Sequence, residues 1–204
     1  MRRFVTYVIL AFLPVLSYAG DGAKTGGGLT FGTEWGYILT FYSGYHNNFF
    51  SPDGWRVNEK DVGPCYHINA EVYFHVGYNV SNNWNISAYA GYSALQDKDH
   101  CVPVSLRATR YFKENEKGDR WLTYLDLGSG VSIKKHPQEI LTGKLGTGYR
   151  FSLSEKTKID VLASLRMTYG HSNIEFENTQ ISFDRINRNN LYGCALSVGL
   201  SLTF

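Results

Sequence analysis

Residues 192–204 carry an apolar side chain on every even position and a small or polar one on every odd position. The even set is Tyr192, Cys194, Leu196, Val198, Leu200, Leu202 and Phe204; the odd set includes Gly193, Ala195, Ser197, Gly199, Ser201 and Thr203. A period of two held over so long a run describes an extended strand whose faces meet different surroundings. A helix would spread the same apolar set around its whole circumference. Seven earlier segments alternate in the same way, at 29–42, 68–80, 84–93, 102–112, 121–133, 140–153 and 159–172, and 191–204 is the eighth. Each reaches the roughly 9–11 residues with which a tilted strand crosses hydrocarbon. The fold class is therefore all-β.

The connections alternate in length. Those at 81–83, 113–120 and 154–157 are compact, whereas 44–65 and 173–190 are long. Short turns at one end and long loops at the other describe an eight-stranded antiparallel up-and-down transmembrane β-barrel. That barrel accounts for 20–204, with no second domain expected.

Alternation alone does not say which face points outward. The apolar faces are bulky: Phe31, Trp35, Tyr37, Leu39 and Phe41 in the first segment, and Ile68, Val72, Phe74, Val76, Tyr78 and Val80 in the second. Eight strands enclose room only for side chains to fill, or for one small ligand, so eight such faces would overfill the interior of a soluble barrel. The opposite faces are rich in Gly, Ser, Thr and Asn. The apolar face is expected outside against lipid, where a closed ring leaves no backbone group unpaired. Aromatic placement agrees. Trp84, Phe112, Trp121, Tyr149, Phe151 and Phe204 fall by the short turns, and Phe41, Tyr92, Tyr169 and Tyr192 by the long loops, as two interfacial girdles would.

At the front, Arg2 and Arg3 precede an apolar run at 4–16, and Ser17, Tyr18 and Ala19 offer a cleavage site. Residues 1–19 read as a signal peptide. The run is too short for a membrane-spanning helix, which needs about 20 residues. A formal net charge of +2 and the lack of a basic run argue against a nucleic-acid partner.

On this phase the inward charges are Glu34, Glu71, Asp126 and Asp160 against Arg107, Lys144, Arg150 and Arg166, with Tyr73, His75, Tyr89 and Tyr124 beside them. Four acids match four bases, and unpaired charges in a narrow lumen are very costly. A packed polar plug is expected, with a narrow channel for small solutes as the alternative. His46, His67, His100 and His136 show no ligand spacing, and no cofactor or metal is expected. Cys65 and Cys101 lie at strand starts on the long-loop side and form a candidate disulfide in an exported chain. Within 173–186, Ile174 and Phe176, a turn at 177–180, then Ile181 and Phe183 read as a hairpin extending the last two strands, whose protruding edge could pair with an incoming strand. The 44–65 loop carries Tyr45, Phe49, Phe50 and Trp55, a heavy aromatic load.

The dyadic final strand, the pair of strands joined through Tyr111, Phe112 and Trp121, and the protruding hairpin resemble the small eight-stranded outer-membrane barrels of the OmpX and OmpA transmembrane-domain type, including the stand-alone barrels of Bacteroidetes-like bacteria. The resemblance implies the outer membrane of a Gram-negative bacterium and a non-enzymatic role in envelope integrity, adhesion or partner binding. It implies contact with outer-membrane lipid and lipopolysaccharide, and an extracellular protein partner at 44–65 and 173–190. It also implies that Leu200, Leu202 and Phe204 serve as a signal to the barrel-assembly machinery. His171 and Ser172 resemble the His-x-Ser of PagL-type lipid A deacylases, which gives a hydrolase as a second alternative. Here the two residues are adjacent, so a continuing strand would aim them at opposite faces.

Overall fold

The computed structural model describes residues 28–95, 99–112, 118–133, 138–154, 156–171, 174–176 and 179–204. The proposed signal peptide, 1–19, lies outside them. The wall consists of β1 (Leu29–Phe50), β2 (Arg56–Ser81), β3 (Trp84–Leu95), β4 (Asp99–Tyr111), β5 (Arg120–Ser132), β6 (Glu139–Ser152), β7 (Lys158–Gly170) and β10 (Ile186–Thr203). Two two-residue strands, β8 (Glu175–Phe176) and β9 (Thr179–Gln180), make a separate small hairpin, and a 3-10 turn spans Phe183–Arg185. Every neighbouring pair in the wall is antiparallel, and β10 closes the ring onto β1. The eight-stranded up-and-down barrel is as expected.

The two faces divide as the alternation implies. Glu34, Ile38 and Thr40 of β1 are buried, while Phe31, Trp35 and Tyr37 between and around them are exposed. On β6 and β7 the exposed set includes Leu141, Leu145, Val161, Leu165 and Met167. A continuous wall of such residues is far larger than the apolar patches that a water-soluble surface carries. Hydrocarbon is the solvent that stabilises it, because within the closed ring each strand pairs with a neighbour on either side.

The two longest strands correct the expected boundaries. Residues 44–65 are not a loop: β1 runs 22 residues and β2 runs 26, and only 51–55 turn. Ser51 N–H donates to the Trp55 carbonyl at 2.8 Å, with Gly54 at φ 89°. A β-bulge hid the extension. Thr40 pairs with Ala195 and His67, but Tyr42 pairs with Cys194 and Pro64. The extra residues invert the alternation, so that above the bulge odd positions of β1 point inward. Phe49, buried inward, and exposed Phe50 show the new phase. β10 follows β1 upward and pairs down to Ile186, opposite Phe49. The result is a three-stranded sheet, β10–β1–β2, that stands above the rest of the wall.

The 173–186 hairpin is also placed differently. β7 ends at Gly170, and 174–181 does not prolong it. Ile174 and Ile181 instead fold over the inner face of the protruding sheet, forming a small core with Phe49 and Val57, against which Phe176 and Ile186 pack. Trp55 closes this core, its ring edge-on to Phe176 at 5.5 Å.

Candidate functional site

Two places hold the polar chemistry of this chain, the barrel lumen and the protruding sheet. In the lumen, the period-two pairing puts charged residues on adjacent rungs. Arg107 of β4 lies opposite Asp126 of β5, Asp126 opposite Lys144 of β6, and Lys144 opposite Arg166 of β7. Three cations on one belt need anions from elsewhere. Glu34 of β1 and Glu71 of β2 supply them from across the barrel.

Arg107 donates through Nη1 and Nη2 to Glu34 Oε2 and Oε1 at 2.5 and 3.0 Å, and through Nε to Asp126 Oδ2 at 3.0 Å. Its guanidinium carbon lies 4.0 Å from the ring centre of Tyr89 and 4.3 Å from that of Tyr124. Glu71 accepts from Lys144 Nζ and Arg166 Nη1, both at 2.7 Å, and from Ser197 Oγ and Tyr73 Oη, both at 3.1 Å. A third group lies nearer the short turns. Arg150 grips Asp160 with two bonds of 2.6 Å and stacks on Tyr111, whose ring also carries Arg120 at 3.9 Å.

All eight expected lumen charges are buried in this network. Arg120, Tyr111, Leu122 and Leu162 also face inward, the last three with Tyr124 as a small apolar cluster. The shared parity with Arg107, Tyr124 and Asp160 was the signal that could have found them. His75 stacks on Tyr89 at 4.9 Å, near Thr203 Oγ1. The cavity beside Arg107, Tyr111 and Arg150 measures about 20 Å³, space for about one water.

At the other end, His171 Nδ1 contacts the Asn189 carbonyl and its ring lies edge-on to Tyr169. Ser172, its expected partner, lies outside the described residues. Cys65 and Cys101 are thiols and not a disulfide. Cys101 pairs with Ser93, and Ser93 pairs with Glu71, which places Cys65 six residues higher on β2, about 20 Å along the strand. A disulfide requires Cα atoms within about 7 Å. Phe204 exchanges backbone hydrogen bonds with Phe31, and their rings stack at 5.6 Å. Leu200 pairs with Trp35 and Leu202 with Thr33 along the same seam. Among the described residues no group of three or more His, Cys, Asp or Glu side chains is disposed to hold a metal.

On the protruding sheet, β2 has an open edge. Its pairing with β3 begins at Glu71, so residues 56–70 are paired with β1 alone among the described residues. The Ser51–Trp55 bond sets the rungs. Residues 57, 59, 61 and 63 turn their N–H groups toward β1, and 58, 60 and 62 turn theirs to the open side. Pro64 falls on the open phase, where its missing N–H costs the ladder nothing.

No protein-family model matches this chain. Comparison with curated proteins gives no match. Solved structures do resemble it. The outer membrane protein OprG from Pseudomonas aeruginosa aligns with a TM-score of 0.52 and 8% identity, over 90% of this chain and 98% of that one. The N-terminal β-barrel domain of Pseudomonas aeruginosa OprF aligns at 0.44 and 12% identity, over 88% and 100%. Neisserial surface protein A aligns at 0.44 and 14% identity, over 87% and 99%. The likeness to OprG is one of fold: this chain is a small eight-stranded β-barrel of the outer-membrane type.

Proposed function

We propose that this barrel is a non-enzymatic integral protein of the Gram-negative outer membrane, exported by way of residues 1–19, with a sealed lumen and a sheet displayed outside the cell to hold an extracellular protein partner. The observation that carries the reading is the open edge of β2 over 56–70. An extended partner segment adding to that edge gains main-chain hydrogen bonds at Asn58, Lys60 and Val62, the positions whose N–H groups are unused by β1. The sheet beneath is stiffened by its own core of Phe49, Val57, Ile174 and Ile181, so the edge is presented in a fixed conformation.

Support for a sealed lumen comes from the braces that cross it, Arg107 to Glu34 and Arg166 and Lys144 to Glu71. Purified protein in planar bilayers is expected to give no discrete openings, and regular single-channel steps would favour a narrow solute channel instead. Support for assembly-machinery recognition of Leu200, Leu202 and Phe204 lies in the outward position of Phe204 at the closing seam. Phe204→Ala is expected to lower the assembled, heat-modifiable form.

The decisive experiment for display is binding of whole cells to immobilised extracellular-matrix and serum proteins. Val62→Pro removes an edge N–H while leaving the β1 ladder intact. Binding by wild type that is lost in Val62→Pro supports strand addition, and equal binding by the two rejects it.

A further inference from the structure

The two faces of the protruding sheet separate its charges. Above the bulge, Lys60 pairs with His46, Arg56 with Phe50 and Arg188 with Asn48, and all point outward with the face that is apolar lower on the wall. Glu59 and Asp61 take the alternate positions of β2 and point to the inner face. Both are exposed, and among the described residues neither carboxylate has an ion-pair partner. Arg185, at the tip of the same sheet, spends its guanidinium on the Ser51 and Pro52 carbonyls at 3.1 and 3.2 Å. The two acids thus share one face without a basic side chain to neutralise them.

The same rungs hold a further acceptor without a donor. Asn47 of β1 lies directly opposite Glu59, between it and Asn189 of β10, on the inner face. It is 9% exposed, and its Oδ1 has no hydrogen-bond partner among the described residues. A carbonyl oxygen buried in this way costs about 1–3 kcal/mol. On the next inner rung toward the tip, Phe49 and Val57 belong to the apolar core and offer no side-chain donor. A cation placed between Asn47 and the acids satisfies the amide oxygen and both charges together.

The spacing allows one ion to meet all three. Glu59 and Asp61 are two residues apart on one face, about 7 Å along the strand. The Asn47 Cβ stands about 5 Å across from that of Glu59 and about 7 Å diagonally from that of Asp61. Side chains of this length converge on a point above the sheet where oxygen ligands at about 2.3–2.6 Å surround one ion. The donors choose the metal. All are oxygen and two are anionic, which suits a hard dication and not the nitrogen- and sulfur-seeking metals. Flexible carboxylates beside a fixed amide match the tolerant coordination of calcium better than the strict octahedron of magnesium. The lack of ligand-spaced histidines has no bearing on such a site.

We infer that Glu59, Asp61 and Asn47 form a calcium site on the inner face of the β10–β1–β2 sheet. The carboxylates supply the charge, Asn47 Oδ1 ties the ion to β1, and water completes the shell. Two acids and one amide place the affinity in the range of about 0.1–1 mM that extracellular calcium modules use. The ion joins β1 to β2 one inner rung below the Phe49–Val57 core. The site is independent of the β2 edge: failure to hold a protein partner leaves it standing, and loss of calcium binding leaves strand addition untouched.

The test is terbium luminescence sensitised through tyrosine, with terbium standing in for calcium, on the purified full barrel in nonionic detergent at about 0.15 M salt. Tyr45 pairs with Asp61 on the inner face and is the expected sensitiser. Wild type should luminesce, and calcium should displace the terbium at lower concentration than magnesium does. Glu59→Gln with Asp61→Asn is expected to weaken terbium binding at least about tenfold, since ligand charge sets affinity. Asn47→Ala keeps both charges and loses one ligand, and should weaken binding by about threefold. Tyr45→Phe should dim the luminescence without moving the calcium concentration that displaces it. Asp53→Asn removes an exposed carboxylate from the 51–55 turn and should bind as wild type does. Heat-modifiability verifies that each variant folds. Equal binding by wild type and the Glu59, Asp61 variant overturns the inference. Wild-type affinity in Asn47→Ala, or a loss in Asp53→Asn as large as in the double variant, would reduce the site to loose acidic screening and overturn it too. Displacement by magnesium at the same concentration as calcium overturns the choice of metal.

Discussion

Arg107 reaches across the lumen from β4 to hold both carboxylate oxygens of Glu34 on β1, at 2.5 and 3.0 Å. The strands they belong to are separated by two others in the ring on the shorter side. The pair is therefore a brace across the barrel and not a ladder contact. Both side chains are at most 5% exposed, so neither charge can fall back on water when the other is removed. Arg107→Leu leaves Glu34 and Asp126 without their shared cation and is expected to cost about 3–5 kcal/mol. Arg107→Lys keeps the charge but loses the forked geometry, and should fall between. Urea midpoints of refolded protein in micelles, followed by tryptophan fluorescence, give the order; identical midpoints for Leu and wild type would refute the brace.

Gly32 carries a different constraint. A Cβ there would lie 1.9 Å from the Leu202 carbonyl oxygen and 2.8 Å from His75 Cε1. The first of these is backbone and cannot yield without opening the β1–β10 seam. Gly143 is a fair control, because its Cβ would meet only Leu127 Cδ2 at 3.6 Å. Gly32→Val should reduce the folded fraction strongly, by an overpacking cost of about 1–3 kcal/mol or more. Gly143→Ala should fold normally. Heat-modifiable mobility on gels reads both.

The barrel itself was legible because period two is enforced at every rung by hydrocarbon outside and packed polar groups inside. Glu34, Glu71 and the six charges facing them could be read from parity alone, since each lies an even number of residues from its inward neighbours. Leu122 and Leu162 share that parity but look like lipid-facing residues, and only the ring reveals that they pack on Tyr111 and Tyr124. The upper halves of β1 and β2 were hidden for a related reason. Beyond the apolar band the outward face meets water and amides, and the inward face is apolar only where Phe49 and Val57 meet Ile174 and Ile181, so alternation no longer marks the strands, and the bulge at Phe41 had already inverted the phase. Pairing between Glu34 and Arg107 was beyond any local pattern, because it depends on which strands face each other across the closed ring.

The cysteines supply a simple check on the register. Cys101 is fully buried, on the rung of Ser93 and Glu71, and Cys65 is half-buried about 20 Å higher along β2. Mobility on gels should be the same with and without reductant. Maleimide should label Cys65 in the folded protein well before Cys101. A mobility change that disappears in Cys65→Ser would restore the disulfide and overturn the register.

Phe49 anchors the protruding sheet, buried at 1% exposure among Val57, Ile174 and Ile181. This core lies above the apolar wall and shares no residue with the lumen network, so the sheet can loosen while the barrel stays closed. Phe49→Ala removes a buried ring and is expected to cost about 3–5 kcal/mol, taken from local and not global stability. The side chains of Arg56, Lys60 and Arg188 are already exposed, and release of their backbone from the β10–β1–β2 ladder then opens the bonds beside them to trypsin. Limited proteolysis should cut the variant within 56–60 and near 188 at least tenfold faster than wild type, while its heat-modifiable barrel band persists. Faster cutting accompanied by loss of that band would mean that the sheet and the barrel unfold as one unit, and that the displayed platform has no stability of its own.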